Sequence, residues 1–326
     1  MALHGEHPHL ERAILAVLTG VDATRAAARL GIDAAYLAAA AETYRVAGRS
    51  AISTPPDTWV QVNIRPTDWH TAEAAMTEHL APILRDAEIR GSVTCWWYVR
   101  KHPYWRLRLH TGHPVLRARL ADKLDRLQHE GRIASWSPGI YEPETEALGG
   151  PLGVDAAHVL FHSDSRAILA EDHRSNTRHV GRRELSVLLC STMLRAAGQE
   201  WTEQGDVWAR VVAMRPAAAE PSSPVADKIR VLLSADTLAM SVPGQVLHAE
   251  SDRVHAFARA GRELADLALR GSLTRGLRAV LAHMIAFHGN RAAIPTPHQA
   301  ALARAARDHI LEAPASPLRG SGVGNA

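Results

Sequence analysis

The spacing of hydrophobic residues changes along the chain and separates a helical start from a mixed middle. Over residues 9–50 apolar side chains recur at helical spacing, and Gly31 separates two Ala-rich helical segments. Tandem proline at 55–56 interrupts this pattern. Polar and apolar residues then alternate strictly over 59–65, which predicts a half-buried strand. Because a helix, a Gly-containing turn and a second helix are also typical of a DNA-reading helix-turn-helix, residues 1–50 leave that alternative open.

The middle of the chain alternates between the two periods. Strand patterns occupy 92–100, 104–110 and 133–141, with a turn at 101–103. Helical patterns lie between them, at 67–85 and 114–131. Strand, helix, hairpin, helix and strand in this order predict the α+β class, with a mostly antiparallel sheet and flanking helices.

Beyond Gly150 the pattern is mainly helical. We predict helices over 155–170, with Asp155 as N-cap, and over 183–197, 206–214, 255–269 and 272–287. The Pro-, Ala- and Ser-rich stretch 215–226 predicts a surface loop, and the Gly-rich end predicts disorder. The predicted organisation is a helical N-terminal extension over 1–55, a main domain over 56–314 and a disordered tail over 315–326.

Composition limits the classes of protein that this chain can belong to. It has 326 residues, of which 46% are hydrophobic and 22% charged, with a net charge of +3. That charge is too small to indicate nucleic acid but suits an acidic peptide partner. Cys95 and Cys190 are far apart, so neither a disulfide framework nor a thiolate zinc site is expected, and the cytoplasm is the predicted location. Neither a signal peptide nor an apolar run of the ~20 residues needed to span a bilayer occurs.

The strand over 104–110 places two arginines on one face. Arg106 and Arg108 are two residues apart, so their guanidinium groups should lie roughly 7 Å apart. Such a fork suits a carboxylate or a run of peptide carbonyls. The alternative is a solvated sheet face with cross-strand ion pairs. The aromatic residues at 96–98 on the preceding strand favour a binding surface.

Acids and a tyrosine are concentrated over 141–150, a stretch that ends in a glycine pair. Tyr141 and Glu144 belong to this segment, which could bring acidic groups close to the two arginines. By spacing alone, a turn whose acids are merely solvated is the favoured interpretation.

The predicted helix over 155–170 carries a polar stripe, because His158, His162 and Ser165 occupy positions i, i+4 and i+7. The two histidines form half of a helical metal site, but the zincin glutamate and a third ligand are missing, so no metal is predicted. An acid/base or hydrogen-bonding role for His162, Asp164 and Ser165 is favoured over metal binding, and an ordinary polar helix face is the alternative.

A second group of polar residues closes the predicted helix near 281–291. His283 and His288 are five positions apart and do not share a face, which argues against joint metal ligation. Asn290 and Arg291 follow Gly289 and give a dense group of donors, although helix capping and one ion pair explain them as well. Nucleotide-binding and cysteine-nucleophile motifs are absent from the sequence, and no cofactor is predicted.

Taken in order, these segments resemble the C-terminal domain of lantibiotic dehydratases, as found in stand-alone thiopeptide biosynthesis proteins. The resemblance covers roughly residues 58–295. Its matching pieces are 96–101 (WWYVRK), 105–109 (WRLRL), 141–146 (YEPETE) before Gly149-Gly150, 161–165 (FHSDS) and 287–291 (FHGNR).

The resemblance implies one of two chemistries. Some members eliminate glutamate from glutamylated Ser or Thr to leave dehydroamino acids. The pyridine synthases instead join two dehydroalanines by a formal [4+2] aza-cycloaddition and then lose water and the leader peptide. Eliminating members typically read Glu-Arg-Tyr-Gly-Gly, whereas this chain has Ala147 in place of the arginine. Pyridine synthases usually carry tryptophan at the position of Gly289, which is a departure from their pattern.

The resemblance therefore implies a cofactor-independent thiopeptide macrocyclase, with a glutamyl-eliminating lyase and a non-catalytic leader-peptide- or DNA-binding protein as alternatives. Its partner would be a precursor peptide with a leader and a dehydrated, azole-containing core, without nucleic acid or membrane, and a homodimer is left open. The implied proton-transfer residues are His288, His162 and Tyr141. Arg106, Arg108, Asn290 and Arg291 would hold carbonyls or the leader, and Ser165 and Glu144 would orient them.

Overall fold

A computed structural model describes residues 7–53, 58–111, 114–170, 180–215 and 223–311, and the contacts divide the chain after Thr58. The first unit contains helices α1 (His7–Leu18), α2 (Ala23–Ala28) and α3 (Ala34–Ser53). Asp22 and Asp33 accept hydrogen bonds from backbone N–H groups three residues ahead, which fixes the starts of α2 and α3. The predicted N-terminal helical region is thereby confirmed.

Helix α3 is the second helix of the helix-turn-helix alternative, and two of its polar side chains have partners within this unit. The Tyr44 hydroxyl donates to Glu11 of α1 at 3.3 Å. Arg45 forms an ion pair with Glu42 on its own helix. Both contacts are exposed to solvent.

The second unit is built on a four-stranded sheet. Its strands are β1 (Thr58–Pro66), β2 (Cys95–Lys101), β3 (Tyr104–Thr111) and β4 (Ile133–Gly139), arranged in the order β2-β3-β1-β4. The β2–β3 and β1–β4 pairs are antiparallel, with Trp97 opposite Arg108 and Gln61 opposite Gly139. The α+β class and the antiparallel sheet predicted from the sequence are confirmed.

One face of the sheet is covered by helices α4 (Ala72–His79), α5 (Ala81–Ile89) and α6 (Pro114–His129). The core between them is apolar and includes Ile64, Trp96, Tyr98, Trp105 and Leu107. The single helix predicted over 67–85 is wrong, because Pro82 lacks an amide hydrogen and starts α5 after a break at Leu80.

The remaining helices form a second layer, and α7 (Pro151–Ala170) packs along β2. The others are α8 (Arg182–Ala196), α9 (Trp201–Ala213), α10 (Ser223–Ser234), α11 (Thr237–Met240), α12 (Ser251–Leu269), α13 (Leu277–Arg291) and α14 (Thr296–Leu311). Within the described ranges, no helix is long and apolar enough to cross a membrane.

Several boundaries in this layer differ from the prediction. Helix α7 starts at Pro151, so Asp155 lies inside it and is not its N-cap. Helix α10 begins at Ser223, inside the stretch predicted as a loop, and neither α10 nor α14 was predicted. Residues 54–57 and 216–222 and the predicted disordered tail over 315–326 lie outside the described residues.

Gly153 allows the chain to turn tightly into α7, and its replacement by alanine should destabilise the fold. A Cβ atom at this position would overlap the carbonyl oxygen of Leu148. Overpacking of this kind typically costs about 1–3 kcal/mol. We expect that decrease in the free energy of unfolding for Gly153→Ala, measured by urea titration. Gly276→Ala is the matched control, because a Cβ there meets nothing within 4 Å; equal losses in both variants would contradict the steric explanation.

Candidate active site

The free edge of β2 is covered by polar side chains of α7. The backbone N–H of Trp96 donates to Nδ1 of His162 at 3.2 Å, and that of Tyr98 donates to Oγ of Ser165 at 3.3 Å. Nε2 of His162 lies 3.2 Å from a carboxylate oxygen of Glu88. The polar stripe predicted on this helix does face one way, toward β2, where His162 and Ser165 satisfy an otherwise unpaired strand edge.

A tyrosine–histidine pair forms where the loop after β4 meets α7. The hydroxyl of Tyr141 is 2.7 Å from Nε2 of His158. Trp59 of β1 packs on both rings, with its centroid 5.2 Å from that of Tyr141 and 4.3 Å from that of His158. Trp97 of β2 lies 5.9 Å from the Tyr141 ring. The pair is therefore enclosed on two sides by aromatic surface.

Both members of this pair are held in their neutral forms. Burial lowers the pKa of His158 to about 4, and the positive charge of Arg108 acts in the same direction. Burial raises the pKa of Tyr141 well above its usual range, although Arg108 opposes this shift. Near neutral pH the pair is consequently a phenol and an imidazole that share a hydrogen bond.

Arg108 connects the sheet to the pair. Its Nε donates to Oε1 of Gln61 at 2.8 Å, and its guanidinium carbon lies 4.2 Å from the centre of the Trp97 ring and 4.7 Å from that of Tyr141. Burial lowers the pKa of Arg108 to about 10, whereas the negative charge of Glu144 raises it. Arg108 thus remains charged near neutral pH and sits over the two aromatic faces.

Arg106 and Glu144 belong to the same neighbourhood. Arg106 shares a face of β3 with Arg108. The charges of Arg106 and Glu144 both act on the guanidinium group of Arg108: Arg106 lowers its pKa and Glu144 raises it. Arg106 is partly buried and Glu144 is exposed. The structure therefore brings together Tyr141, Glu144, Arg106 and Arg108, four of the residues that the sequence singled out.

A second polar cluster is centred on Asp164 of α7, which is fully buried. Its Oδ1 accepts from Nε of Arg253 at 3.0 Å. Its Oδ2 lies 2.8 Å from Nδ1 of His288 and accepts from Nε of Arg291 at 2.8 Å. One carboxylate therefore holds two guanidinium groups and one imidazole in the interior.

The two arginines determine how this cluster is charged. Burial alone would raise the pKa of Asp164, but the attraction of His288, Arg253 and Arg291 lowers it well below its usual range. Burial lowers the pKa of His288, and the charges of Arg253 and Arg291 act in the same direction against the opposing effect of Asp164. Because two cations already face one carboxylate, we take Asp164 as ionised and His288 as neutral.

Aromatic rings connect the two clusters. The Arg291 guanidinium carbon lies 4.1 Å from the centre of the Phe161 ring, and Phe161 lies 4.9 Å from Trp97. Five buried nitrogen atoms along this path have no hydrogen-bond partner within the part of the chain that the structure describes. They are Nη1 of Arg108, Nε1 of Trp97, Nε2 of His288 and both Nη atoms of Arg291.

Asn290 lies apart from these clusters, on the other side of α13. Its Oδ1 accepts from Nη2 of Arg215 at 3.3 Å and from Nε2 of Gln299 at 3.2 Å. Gln299 also fills the space beside Gly289, where a Cβ atom would lie 2.7 Å from its side chain. The tryptophan found at this position in pyridine synthases would therefore collide with α14.

Several residues that complete these clusters do not stand out in the sequence. His158 was noted only for its spacing to His162, and its pairing with Tyr141 depends on how α7 packs on the sheet. Gln61 and Trp59 were seen only as part of an alternating strand. Arg253 was not recognised at all, and the one available signal is a charged residue on the apolar face of α12. Among the described residues, His, Cys, Asp and Glu form no cluster of three suited to a metal ion.

Replacing His158 with glutamine should reduce the dependence of stability on pH. The unfolded chain takes up a proton on this histidine as the pH falls through about 6.5, whereas the folded protein resists until about pH 4. The folded state therefore loses stability as the pH falls through this window, by about 2 kcal/mol between about pH 7.5 and about pH 5. Urea titrations of wild type and His158→Gln at both pH values measure the difference. An equal pH dependence in the two proteins would contradict this origin.

Residues 59–310 match the family described as lantibiotic biosynthesis dehydratase C-term, and the chain belongs to that family. Membership confirms the resemblance identified in the sequence.

The solved structures that match this chain include MibB and TsrL. The tRNA-dependent lantibiotic dehydratase MibB from Microbispora sp. 107891 is 17% identical with a TM-score of 0.59, covering 80% of this chain and 29% of that one. TsrL is 15% identical with a TM-score of 0.48, covering 76% of this chain and 94% of that one. The chain thus spans less than a third of the MibB structure, and the similarity concerns the fold alone. The comparison with curated proteins gives no match.

Proposed function

We propose that this chain closes a thiopeptide macrocycle by forming a pyridine ring from two dehydroalanines of a precursor peptide. The observation that carries the proposal is the composition of the loop beside Arg108. It presents Tyr141, bonded to a neutral His158, together with Glu144. It has Ala147 where members of the family that eliminate glutamate have an arginine, so it supplies a proton relay and lacks a second fork for a leaving carboxylate.

The neutral pair suits the first step of this reaction. One amide must become its imidic-acid tautomer, which moves a proton from nitrogen to oxygen and gives the azadiene. Tyr141 can donate its proton to the oxygen and take one from Nε2 of His158, while Nδ1 of His158 accepts the proton from the nitrogen. Both partners end neutral, and His158 changes from one tautomer to the other. Because each partner is buried and neutral, the exchange needs no separated charge.

The following bond changes are supported in a similar way. The azadiene adds to the second dehydroalanine and forms two new ring bonds. The hydroxyl group on the ring then leaves as water, and the leader leaves as a carboxamide, which makes the ring aromatic. Each departure requires one proton delivered and one removed, which the same relay can provide.

Holding the two dehydroalanines in contact supplies much of the rate, because proximity can be worth about 7–11 kcal/mol. We assign this holding role to Arg108 and Arg106, whose guanidinium groups would bind peptide carbonyls, with Glu144 orienting them. Arg291 would contribute through its Nη atoms, which have no partner among the described residues. The proposed proton transfer by His288 would use its Nε2 in the same interior.

Three residues in the proposed set have other contacts in this structure. His162 and Ser165 bond the edge of β2, and Asn290 bonds Arg215 and Gln299. Their roles in proton transfer and substrate binding stay predictions, and the geometry favours His158 over His162 as the partner of Tyr141.

The test is mass spectrometry of the purified chain incubated with a linear, leader-bearing peptide that contains azoles and two dehydroalanines. The expected products are a macrocycle that has lost water and a free leader carboxamide. Unchanged peptide under conditions in which the protein is folded would contradict the proposal.

A glutamyl-eliminating lyase is the second candidate, and the observation that favours it is the pair of arginines on one face of β3. Such a fork would bind the carboxylate of a glutamyl ester. Release of glutamate from a glutamylated precursor, together with no reaction of the dehydroalanine peptide, would favour this activity. Inertness toward both peptides would favour the non-catalytic peptide-binding alternative.

A further inference from the structure

Arg253 is a charged residue in the interior that the sequence pattern did not bring to the site. It lies on α12 and is 3% exposed. Its Nε and Nη2 both contact Oδ1 of Asp164, at 3.0 and 2.9 Å. Its Nη1 lies 3.5 Å from Glu250, one turn earlier on the chain. Arg253 therefore binds Oδ1 of Asp164, whereas His288 binds Oδ2.

This arrangement fixes both the direction and the charge of the His288 ring. Asp164 is ionised and can only accept hydrogen bonds, so Nδ1 of His288 must carry the proton that it donates to Oδ2. In the neutral ring Nε2 is then an acceptor, and it is buried without a partner among the described residues. Phe257 contacts the ring at a centroid distance of 5.0 Å and limits its rotation.

We propose that Arg253 is a positioning residue that, through Asp164, keeps His288 neutral with Nε2 free to accept a proton from the bound peptide. The inference rests on the proposed function for its catalytic consequence, but the state of His288 is a property of the free protein. It also assigns Asp164 a second task beyond neutralising Arg291, which is to select one tautomer of His288.

The neighbouring elements contribute few other charges to this balance. Asp164 on α7 and Arg291 on α13 act directly on His288, as does Arg253 on α12. Tyr98 on β2 and Cys190 on α8 also interact with Asp164, and burial raises the pKa of both, so each is uncharged near neutral pH. Removing the charge of Arg253 would leave Arg291 as the cation facing Asp164, and His288 would become easier to protonate.

The first experiment records imidazole nitrogen NMR of the free, isotope-labelled protein as a function of pH. Wild type should show His288 as the Nδ1–H tautomer and neutral near pH 7. Arg253→Gln should raise the pKa of His288 by about 1 unit or more, and Arg253→Lys, which keeps the charge, should restore most of the wild-type value. A His288→Gln spectrum assigns the signal.

The second experiment compares the pH profiles of kcat/KM for macrocycle formation. In Arg253→Gln the acid limb of the profile should move to higher pH, as the pKa of His288 does in the NMR titration. In Arg253→Lys the acid limb should stay near that of wild type. A purely structural role for Arg253 would lower stability in Arg253→Gln without moving the titration of His288.

The outcomes separate the inference from the proposed function. An Nε2–H tautomer in wild type, or a His288 titration that Arg253→Gln leaves unchanged, would overturn the inference whatever the protein catalyses. If Arg253→Gln does not fold, the wild-type tautomer and Arg253→Lys still decide it. The expected NMR result with no cyclisation activity would support the assignment of His288 and reject the pyridine-forming reaction.

Discussion

Asp164→Asn should lose about 3–5 kcal/mol of stability, the largest effect on folding that we expect from a single substitution in this chain. The asparagine has nearly the same shape but no charge. Arg253 and Arg291 would then remain buried beside an amide that cannot neutralise them. A buried charge that loses its partner is far more costly than an exposed one, because water cannot replace the missing interaction. Thermal and urea unfolding measure the loss.

Asp206→Asn is the matched control for this substitution. Asp206 also contacts two arginines, Arg210 and Arg278, each at 3.2 Å, but its side chain is 36% exposed. Exposed pairs of this kind usually contribute less than about 1 kcal/mol. If the two variants lose equal stability, the Asp164 cluster does not stabilise the fold in the way its burial indicates.

The acid sensitivity of the fold should follow from the same carboxylate. Its pKa in the folded protein is lowered below the ordinary value of 3.8. The stabilisation is therefore complete above that value and is lost as the pH falls toward the lower pKa of the folded state. His158 and His288 add losses at higher pH, because both resist protonation in the folded protein. Stability is thus expected to decline in two stages as the pH decreases.

Much of the sheet could be predicted because alternation of polar and apolar residues is a local signal. The residues of β1 and β3 alternate so regularly that the face carrying Arg106 and Arg108 follows from the period alone. The helix boundaries follow less directly from the hydrophobic period, since they depend on individual residues. Pro82 splits one predicted helix into two, and α7 begins at Pro151 well before Asp155.

The partners within the site could not be predicted, because they come from segments that only folding brings together. Tyr141 and His158 are close in sequence, but their hydrogen bond requires α7 to lie along β2 while the preceding loop doubles back. Asp164 and Arg253 are 89 positions apart. The helical period places Arg253 on the apolar face of α12, but packing is needed to show that its partner is Asp164.

One departure from the family pattern has a physical explanation in the packing of α14. Gly289 faces Gln299, whose side chain bonds both Asn290 and the carbonyl of Ile294. The glycine and the glutamine fit each other, and a larger residue at position 289 would displace this polar contact. The departure lies on the side of α13 away from Asp164, and it leaves the contacts of His288 intact.

Tyr141→Phe should lower the rate of macrocycle formation by about 100-fold or more while leaving the peptide bound. The substitution removes the hydroxyl that donates and accepts protons but keeps the ring that packs on Trp59 and lies under Arg108. General acid–base groups typically contribute about 10²–10⁴-fold to a rate. Peptide affinity, which we assign to Arg108 and Arg106, should change little, so the loss should appear in kcat.

Tyr104→Phe is the control, because Tyr104 lies on the same face of β3 at its exposed end and away from His158. Single-turnover kinetics followed by mass spectrometry would measure the rates, and peptide binding by fluorescence would measure affinity. If Tyr141 transfers the proton, Tyr141→Phe should cyclise the peptide more slowly but bind it with unchanged affinity. Tyr104→Phe should match wild type in both measurements. If Tyr141→Phe cyclises its substrate at the wild-type rate, the proton moves elsewhere, and His288, with its free Nε2, becomes the group to test.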